Sequence, residues 1–327
     1  MNINKLFEQF NSKTILVLGD LMVDEYYEGN VTRISPEAPV PIVSVTNHDR
    51  RLGGAANVAL NLINLGAKTM ICGVRGNDEN GEWMANRLKE MDINNAGLLV
   101  DLGRPTTVKT RIIGNRHQML RVDREDSSEV GLTIEKQIID YVKQIINQVD
   151  VLIFQDYNKG LLTKKIISSV IKICNQQGVA TLVDPKRDHF LDYKGVTLFK
   201  PNRKEIVDGL KLHTELSTKT EIEAAVKTLS EKLETSHILL TLSEMGVCIL
   251  HNNQIDFIEA HPRKIIDVSG AGDSVISVAA LAVACGLDWK NVAAMSNLAG
   301  GLVCEKVGVV AIDKEVLKRE VNNLFGI

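Results

Sequence analysis

The chain has 327 residues, and its 38 Lys and Arg nearly balance 41 Asp and Glu, for a formal net charge of −3. No basic field is therefore available to hold nucleic acid or an anionic membrane surface. Residues 1–13 are polar and of mixed charge, and no apolar run reaches the roughly 18 residues that span a bilayer. The five cysteines are scattered without metal-ligand spacing. We expect a cytoplasmic protein with reduced thiols and with neither a nucleic-acid nor a membrane partner.

Short apolar runs alternate along the chain with longer segments of helical period. The runs predict buried strands at 14–18, 69–74, 151–154, 180–183, 197–199 and 238–242. The longer segments predict helices at 55–65, 134–146, 165–176 and 221–233. Thr218 and Glu221 form a capping-box pattern for the last helix, and Gly66 and Gly178 are expected to end two others. This alternation predicts a mostly parallel sheet covered by helices on both faces.

Two stretches break the alternation. Residues 31–45 hold three prolines and then an alternating tract, and residues 106–122 alternate as well. We expect one domain, 1–327, with β insertions at about 30–48 and 96–123 that form a small lid over the strand ends, where ligands bind in open α/β folds. The alternating tract 40–45 would be an exposed edge strand, so a homodimer through the lid strands is expected.

A glycine-rich turn precedes an apolar helix late in the chain. Residues 267–274 read Asp-Val-Ser-Gly-Ala-Gly-Asp-Ser, and the apolar run 275–283 follows. Small residues let the backbone approach a ligand, and the amides at the start of a helix attract anions. Asp273 would repel a phosphate but could take a proton from a hydroxyl that attacks one. The segment indicates phosphoryl transfer onto an alcohol; the alternative is a core helix with Asp273 as an ordinary N-terminal cap.

A nicotinamide-dependent enzyme would use the same alternation of strands and helices. Its Gly-x-Gly-x-x-Gly turn would follow the first strand, where residues 19–24 read Gly-Asp-Leu-Met-Val-Asp. Gly53 and Gly54 open a later helix, but no third glycine follows at the required spacing. The sequence therefore disfavours dinucleotide binding.

Several short patterns together resemble the ribokinase-like (PfkB) carbohydrate kinases. Residues 267–273 resemble the carboxy-terminal signature of that family, and Gly53, Gly54 and Asn57 resemble its amino-terminal one. The Asn-Arg-Lys-Glu string at 202–205 fits the family's Asn-x-x-Glu element. The patterns occur in order along nearly the whole chain. The resemblance implies an α/β fold, a ribokinase-like three-layer sandwich with a mostly parallel central sheet and a small projecting β-sheet lid.

The resemblance also implies roles for individual residues. Catalysis would use Asp273 as the base and the amides of Gly270, Ala271 and Gly272. The sugar would be bound by Asp20, Asp24, Gly53, Gly54 and Asn57. The nucleotide would be bound by Asn202, Arg203, Lys204, Glu205, Ser243, Gly246 and Asn297. ATP would be the phosphoryl donor, Glu205 would organise Mg²⁺ through water, and Asp267 would hold a monovalent cation such as K⁺.

Longer strings resemble one branch of the family, which phosphorylates D-glycero-β-D-manno-heptose 7-phosphate at C1 on the way to ADP-heptose for lipopolysaccharide core. They lie at 33–41, 118–123, 156–160 and 184–186. In many relatives of this branch the kinase is fused to a nucleotidyltransferase, so a sequence that ends at 327 implies a stand-alone kinase with a separate nucleotidyltransferase. The alternatives are a kinase for another sugar, sugar phosphate or nucleoside, and a sugar-phosphate sensor without activity.

A substrate that carries its own phosphate needs cations at the far end of its pocket. Seven basic residues near the predicted lid and strand ends are candidates, namely Lys109, Arg111, Arg116, Arg121, Lys159, Lys186 and Arg187. Of these we predict that Arg121, Lys159 and Lys186 bind the phosphate. The alternative for each is a solvated surface cation, which is the commoner fate of Lys and Arg.

Overall fold

The structure, a computed structural model, describes residues 2–326. Its strands are β1 (Thr14–Gly19), β2 (Leu21–Ile34), β3 (Pro41–Gly54), β4 (Lys68–Arg75), β5 (Asn94–Val100), β6 (Val108–Gly114), β7 (His117–Arg124), β8 (Val151–Gln155), β9 (Ala180–Asp184), β10 (Leu198–Phe199), β11 (Ile238–Thr241), β12 (Val247–His251) and β13 (Gln254–Ile258). Its α-helices are α1 (Ile3–Gln9), α2 (Ala55–Leu65), α3 (Glu79–Glu90), α4 (Leu132–Ile145), α5 (Lys164–Gln177), α6 (Arg203–Leu210), α7 (Lys219–Leu233), α8 (Ala271–Ala284), α9 (Trp289–Val303) and α10 (Lys314–Phe325).

The central sheet has nine strands in the order β13-β12-β11-β10-β9-β8-β1-β4-β5. All neighbours pair in parallel except β12, which is antiparallel to β11 and β13. Parallel strands need crossover connections, and the helices that the sequence predicts between them provide these. The mostly parallel sheet is confirmed.

Two hydrophobic cores lie on opposite faces of this sheet. Ile15 and Val17 of β1 enter one core, and the alternate residues Leu16 and Leu18 enter the other. Helices α2, α8 and α9 cover the first core, whereas α4, α5 and α7 cover the second. The expected sandwich of helices, sheet and helices is therefore present.

The predicted helix ends are confirmed by their capping contacts. Gly66 and Gly178 end α2 and α5 in the left-handed conformation, with φ of 98° and 68°. At α7 the Thr218 hydroxyl accepts the N–H of Glu221 (3.2 Å), and the Glu221 carboxylate accepts the N–H of Thr218 (2.9 Å). Among residues 2–326 no helix is long and apolar enough to cross a membrane.

The lid is a separate four-stranded sheet in the order β3-β2-β6-β7. The range 30–48 was too short, because β2 starts at Leu21, next to β1, and β3 runs on to Gly54, where α2 begins. The range 96–123 was also wrong at its start, because β5 pairs with β4 in the central sheet. The start of β2 could not be predicted from apolar alternation, because the buried residues Asp24 and Glu25 interrupt it.

Candidate active site

Polar side chains collect at one edge of the central sheet, where its parallel strands end. Gln155 ends β8, Asp184 ends β9 and Lys200 follows β10, and all three side chains are buried. Because the carboxyl ends of parallel strands meet at the same edge, these residues lie together although they are distant in sequence. The amino end of α8 faces the same place, since a Cβ on Gly272 would lie 3.5 Å from an oxygen of Asp184.

The glycine-rich turn forms the amino end of α8. Gly270 is the N-cap, and its φ of 79° is a left-handed conformation that favours glycine. The N–H of Ala271 donates to the carbonyl of Val268 (3.3 Å), whereas the next amides of a first turn have no partner within the helix. A Cβ on Gly272 would lie 3.6 Å from the ammonium nitrogen of Lys200. Helix amides and a lysine thus face one space, which suits a phosphate group.

Asp273 lies in the first turn of α8 and is 6% exposed. Its Oδ2 accepts the side-chain amide of Asn57 (2.6 Å), and its Oδ1 accepts the hydroxyl of Tyr157 (2.8 Å) and the amide of Gln155 (3.2 Å). The carboxylate does not cap the helix, because the N-cap is Gly270 and no side chain caps it. The alternative interpretation of Asp273 as an N-terminal cap is therefore wrong.

Burial is the largest influence on the acidity of Asp273 and raises its pKa to about 6. The neighbouring carboxylate of Asp184 raises the pKa further, while Asn57, Tyr157 and the ammonium of Lys200 lower it. A carboxylate with a pKa near 6 is ionised at neutral pH and is a stronger base than an exposed aspartate. This arrangement suits a general base beside a phosphate site.

The paired glycines act through the space that they leave open. A Cβ on Gly53 would collide with the carboxylate of Asp24, and a Cβ on Gly54 would collide with the backbone carbonyl of Asp20. Gly54 also has a φ of 59°. The turn brings Asn57, in the first turn of α2, to Asp273 while Asp24 of β2 stays beside Gly53. The resemblance assigns both glycines to the sugar. Gly53 lies against Asp24, a candidate ligand of the sugar, whereas Gly54 lies against the backbone of Asp20.

A cavity of about 580 Å³ opens beside the amino end of α8. Ser243, Gly246 and Asn297, which were predicted to contact the nucleotide, all line it, as does Gly272. A cavity of this size is typical of small-molecule sites. The amide of Asn297 donates to the carbonyl of Glu259 (2.9 Å), so it holds the wall of the cavity, and its contact with adenine stays a prediction.

The Asn-x-x-Glu element begins α6 as a capping box. The side chain of Asn202 accepts the N–H of Glu205, and Glu205 Oε2 accepts the N–H of Asn202, both at 2.8 Å. Glu205 Oε1 accepts the ammonium of Lys186 at 2.5 Å. The guanidinium of Arg203 donates to the carbonyl of Leu242 (3.2 Å), next to the cavity wall. The element therefore lies beside the cavity, and its binding of the nucleotide stays a prediction.

Comparison with known protein families shows to which family the chain belongs. A model described as pfkB family carbohydrate kinase matches residues 12–315. The chain belongs to the pfkB family of carbohydrate kinases. It is thus a phosphotransferase that acts on a sugar hydroxyl, and its family implies ATP as co-substrate and a divalent metal.

The relatives of this kinase include longer proteins. It is 41% identical over 315 residues to the bifunctional protein HldE of Desulfatibacillum aliphaticivorans, a match that covers 96% of the chain and 64% of that protein. It is also 41% identical over 308 residues to the bifunctional protein HldE of Helicobacter hepaticus, with 94% and 64% covered. The kinase thus spans about two thirds of the length of these relatives.

Solved structures confirm the ribokinase-like α/β fold. The TM-score is 0.78 against phosphofructokinase-2 from Escherichia coli in complex with fructose-6-phosphate, at 15% identity, with 96% and 99% of the two chains covered. It is 0.73 against Arabidopsis thaliana ribokinase complexed with ribose and ATP, at 16% identity, with 94% and 98% covered.

Asp20 does not have the role that was predicted from the resemblance. It is 3% exposed, and its carboxylate accepts the backbone N–H groups of Tyr157 (2.8 Å), Lys159 (3.1 Å) and Leu161 (3.3 Å). Both oxygens therefore accept hydrogen bonds from the loop that follows β8. We withdraw Asp20 as a ligand of the sugar.

Asp24 stays a candidate ligand of the sugar, and its Oδ1 accepts a hydrogen bond from the guanidinium of Arg111 at 2.5 Å.

Two of the three predicted phosphate-binding cations lie together at the lid. The ammonium of Lys159 contacts Glu125 (2.8 Å), and Arg121 contacts Asp123 (2.9 Å). Lys109, one of the other candidates, contacts both of these carboxylates, at 3.4 and 3.1 Å. We name these three basic and two acidic residues the lid charge cluster.

Lys186 lies apart from the lid charge cluster. Its ammonium pairs with Glu205 and stands 5.7 Å from the ring centre of Tyr157. The assignment of Lys186 to the phosphate of the sugar is therefore corrected, because Lys186 contacts the Asn-x-x-Glu element and not the lid charge cluster. Lys204, which the resemblance assigns to the nucleotide, is exposed on α6.

Two residues were predicted to hold metals, Glu205 for Mg²⁺ and Asp267 for K⁺. Both oxygens of Glu205 already accept hydrogen bonds, and within residues 2–326 no group of three or more His, Cys, Asp or Glu side chains could hold a metal. Mg²⁺ keeps several waters and binds mainly to substrate phosphates, so its contact with Glu205 through water stays a prediction. Asp267 accepts the N–H groups of Ser269 and Gly308, both at 2.9 Å, and so ties two loops together. Its binding of K⁺ stays a prediction.

Sequence reasoning missed four residues of the site, which are Gln155, Tyr157, Asp184 and Lys200. The ammonium of Lys200 is 3% exposed and lies 3.1 Å from Asp184 Oδ1. Buried charges are rare unless they are paired, so a lysine at the end of a predicted buried strand was a usable signal. Tyr157 gave no such signal, because a tyrosine in a loop has no preferred partner.

Proposed function

We propose that this kinase transfers the γ-phosphoryl group of ATP to the C1 hydroxyl of D-glycero-β-D-manno-heptose 7-phosphate. The product would be the 1,7-bisphosphate, an intermediate of ADP-heptose biosynthesis for lipopolysaccharide core, on the way to a later nucleotidyltransferase step. The observation that carries the proposal is the 41% identity to HldE proteins over nearly the whole chain. The strings at 118–123 and 156–160, which hold Arg121 and Lys159, support the same branch.

The chemistry follows from the groups around α8. The acceptor oxygen attacks the γ-phosphorus, its new bond to phosphorus forms, and the bond from phosphorus to the bridging oxygen breaks, so ADP leaves. The proton of the hydroxyl goes to the Asp273 carboxylate. The amides at the amino end of α8 and the ammonium of Lys200 stabilise the charge on the transferring group. A divalent cation on the phosphates, held by Glu205 through water, would supply further neutralisation.

The lid charge cluster supports an acceptor that carries its own phosphate. Lys109, Lys159 and Arg121 are paired here with Glu125 and Asp123. A phosphate offers three oxygens and up to two negative charges, so it would compete with these carboxylates for the same cations. A neutral sugar would not need three cations at this place.

We also propose that the kinase forms a homodimer through its lids. Every residue of β7, the strand at one edge of the lid sheet, is exposed. Exposed apolar side chains on the lid include Met119, Leu120 and Val122 of β7 and Ile34 of β2. An exposed edge strand with apolar side chains favours pairing with another chain.

An ADP-release assay with ATP and Mg²⁺ tests the proposed reaction. The acceptors are heptose 7-phosphate, unphosphorylated heptose, fructose 6-phosphate, ribose and adenosine, and Asp273→Asn is the control variant. We expect turnover that is selective for heptose 7-phosphate and is lowered about 10²- to 10⁴-fold in the variant. Preference for another acceptor would refute the substrate assignment, and full activity of Asp273→Asn would refute the base.

A further inference from the structure

The hydrogen bonds of Asp273 are distributed unevenly over its two oxygens. An ionised carboxylate has about two acceptor positions on each oxygen. Oδ1 accepts two donors, the Tyr157 hydroxyl and the Gln155 amide, whereas Oδ2 accepts only the Asn57 amide among the residues of the structure. The acceptor position that stays open is therefore on Oδ2.

Tyr157 is fixed by contacts between its loop and other parts of the chain. It lies in the loop of residues 156–161, which leaves β8, and we name this segment the Tyr157 loop. Asp20, which follows β1, accepts three backbone N–H groups of the loop, those of Tyr157, Lys159 and Leu161. The guanidinium of Arg104 donates to the carbonyl of Lys159 (2.9 Å). Charged partners thus hold both N–H and carbonyl groups of the loop backbone.

The loop also has little room to shift. Gly160 has a φ of 79°, and a Cβ there would collide with the carbonyl of Ser128. The N–H of Val130 donates to the carbonyl of Gly160 (2.9 Å). A loop held in this way keeps the Tyr157 hydroxyl within hydrogen-bond distance of Asp273 Oδ1 (2.8 Å).

We propose that Tyr157 is a positioning residue for the base. Tyr157 and Gln155 occupy both acceptor positions of Asp273 Oδ1, so the proton of the acceptor hydroxyl goes to Oδ2. Asp20 contributes by holding the Tyr157 loop in place. This inference rests on the proposed function, because it assumes that Asp273 is the base. It assigns to Asp20 a task at the reaction centre in place of the sugar contact that was withdrawn.

The hydroxyl of Tyr157 stays a donor throughout the useful pH range. Burial, together with the charge of Asp273, raises the pKa of Tyr157 well above its usual value. The other ionisable groups that face Asp273 are Asp184 at the end of β9, Lys186 in the loop that follows, and Lys200 after β10. Tyr157→Phe leaves all of these in place. A change in the pKa of Asp273 in that variant would therefore report the lost hydrogen bond.

The test compares the wild type with Tyr157→Phe in two measurements. The donor stabilises the ionised carboxylate, so its loss should raise the pKa of Asp273 by about 1 pH unit. The acid limb of kcat/KM should move upward by that amount, and KM for the sugar should stay within about twofold. A ¹³C NMR titration of aspartate carboxyl carbons, assigned with Asp273→Asn and made without substrate, should show the same shift.

Tyr141→Phe is the matched control, because its buried hydroxyl has no partner among residues 2–326, and it should leave both readouts unchanged. If Tyr157→Phe does not fold, Gln155→Met removes the other donor to Oδ1 and should shift the titration in the same direction. An unmoved NMR titration in the folded variant would overturn the inference. The titration needs no sugar, so a wild type that fails on heptose 7-phosphate would refute only the proposed function.

Discussion

Asp273 is ionised at neutral pH although it is buried, so its charge lowers the stability of the folded state. Its pKa is about 6 in the fold, against 3.8 for an exposed aspartate. The folded protein therefore binds the proton more tightly than the unfolded chain does, and stability from this group falls as the pH rises from about 4 to above 6. The burial that lowers the stability also raises the pKa of Asp273, which makes the carboxylate a stronger base.

Asp273→Asn should therefore stabilise the fold at pH 8 while it lowers activity about 10²- to 10⁴-fold. The neutral amide removes the cost of the buried charge, which we place at roughly 3 kcal/mol. The advantage should shrink as the pH falls toward 5, because Asp273 then takes up a proton in the wild type. Urea unfolding of both proteins at pH 8 and pH 5 measures the difference. A variant that is less stable than the wild type at pH 8 would contradict this account of the charge.

Replacement of Lys159 should impair the reaction with the phosphorylated sugar but not the reaction with the neutral sugar. Lys159→Met removes an ammonium from the lid charge cluster, so KM for heptose 7-phosphate should rise about 10- to 100-fold. The activity on unphosphorylated heptose should stay as in the wild type. The control is Lys164→Met, since that lysine is 79% exposed on α5. Equal effects of Lys159→Met on both sugars would argue against a phosphate site at the lid.

At the scale of elements, the junction between β3 and α2 is the most sensitive point of the site. A Cβ on Gly53 would displace the carboxylate of Asp24, which is 4% exposed and bound to Arg111. Gly53→Ala should therefore raise KM for the sugar at least tenfold and destabilise the fold by about 1 to 3 kcal/mol. Steady-state kinetics and urea unfolding measure the two effects.

Gly131→Ala provides the comparison for that variant. Gly131 is the N-cap of α4 with a φ of −66°, and a Cβ there would meet nothing within 4 Å. It should change neither KM nor the free energy of unfolding by a measurable amount. If Gly53→Ala behaves in the same way, the space beside Asp24 is not critical.

The elements also show why some of the site was predictable and some was not. Helix α8 was predicted because its glycine-rich start and apolar run are adjacent in sequence. The contact of Asp20 with the N–H of Tyr157 joins residues 137 positions apart, and no local pattern records it. The same holds for Lys186, whose partner is decided by how the loop after β9 meets α6. Local periodicity therefore predicted the layers of the fold, whereas tertiary contacts decided the partners of the charged residues.

At the scale of the whole molecule, the lid has an exposed edge strand with apolar side chains. Leu120 of β7 is 57% exposed. Leu120→Glu would add a charge to the surface through which we expect two copies to pair, so the dimer should dissociate at micromolar concentration. Sedimentation velocity of both proteins measures this, and Leu132→Glu is the control, since Leu132 is 75% exposed at the start of α4, outside the lid. A wild type that sediments as a monomer would refute the lid dimer.

The measurement that tests the central claim most directly is ³¹P NMR of the reaction of the kinase with ATP, Mg²⁺ and heptose 7-phosphate. We predict that one new phosphomonoester resonance, coupled to the anomeric proton, grows with ADP while the resonance of the C7 phosphate is retained. Both changes should be about 10²- to 10⁴-fold slower with Asp273→Asn. A phosphate added at any other carbon, or ADP formed without a new sugar phosphate, would contradict the account.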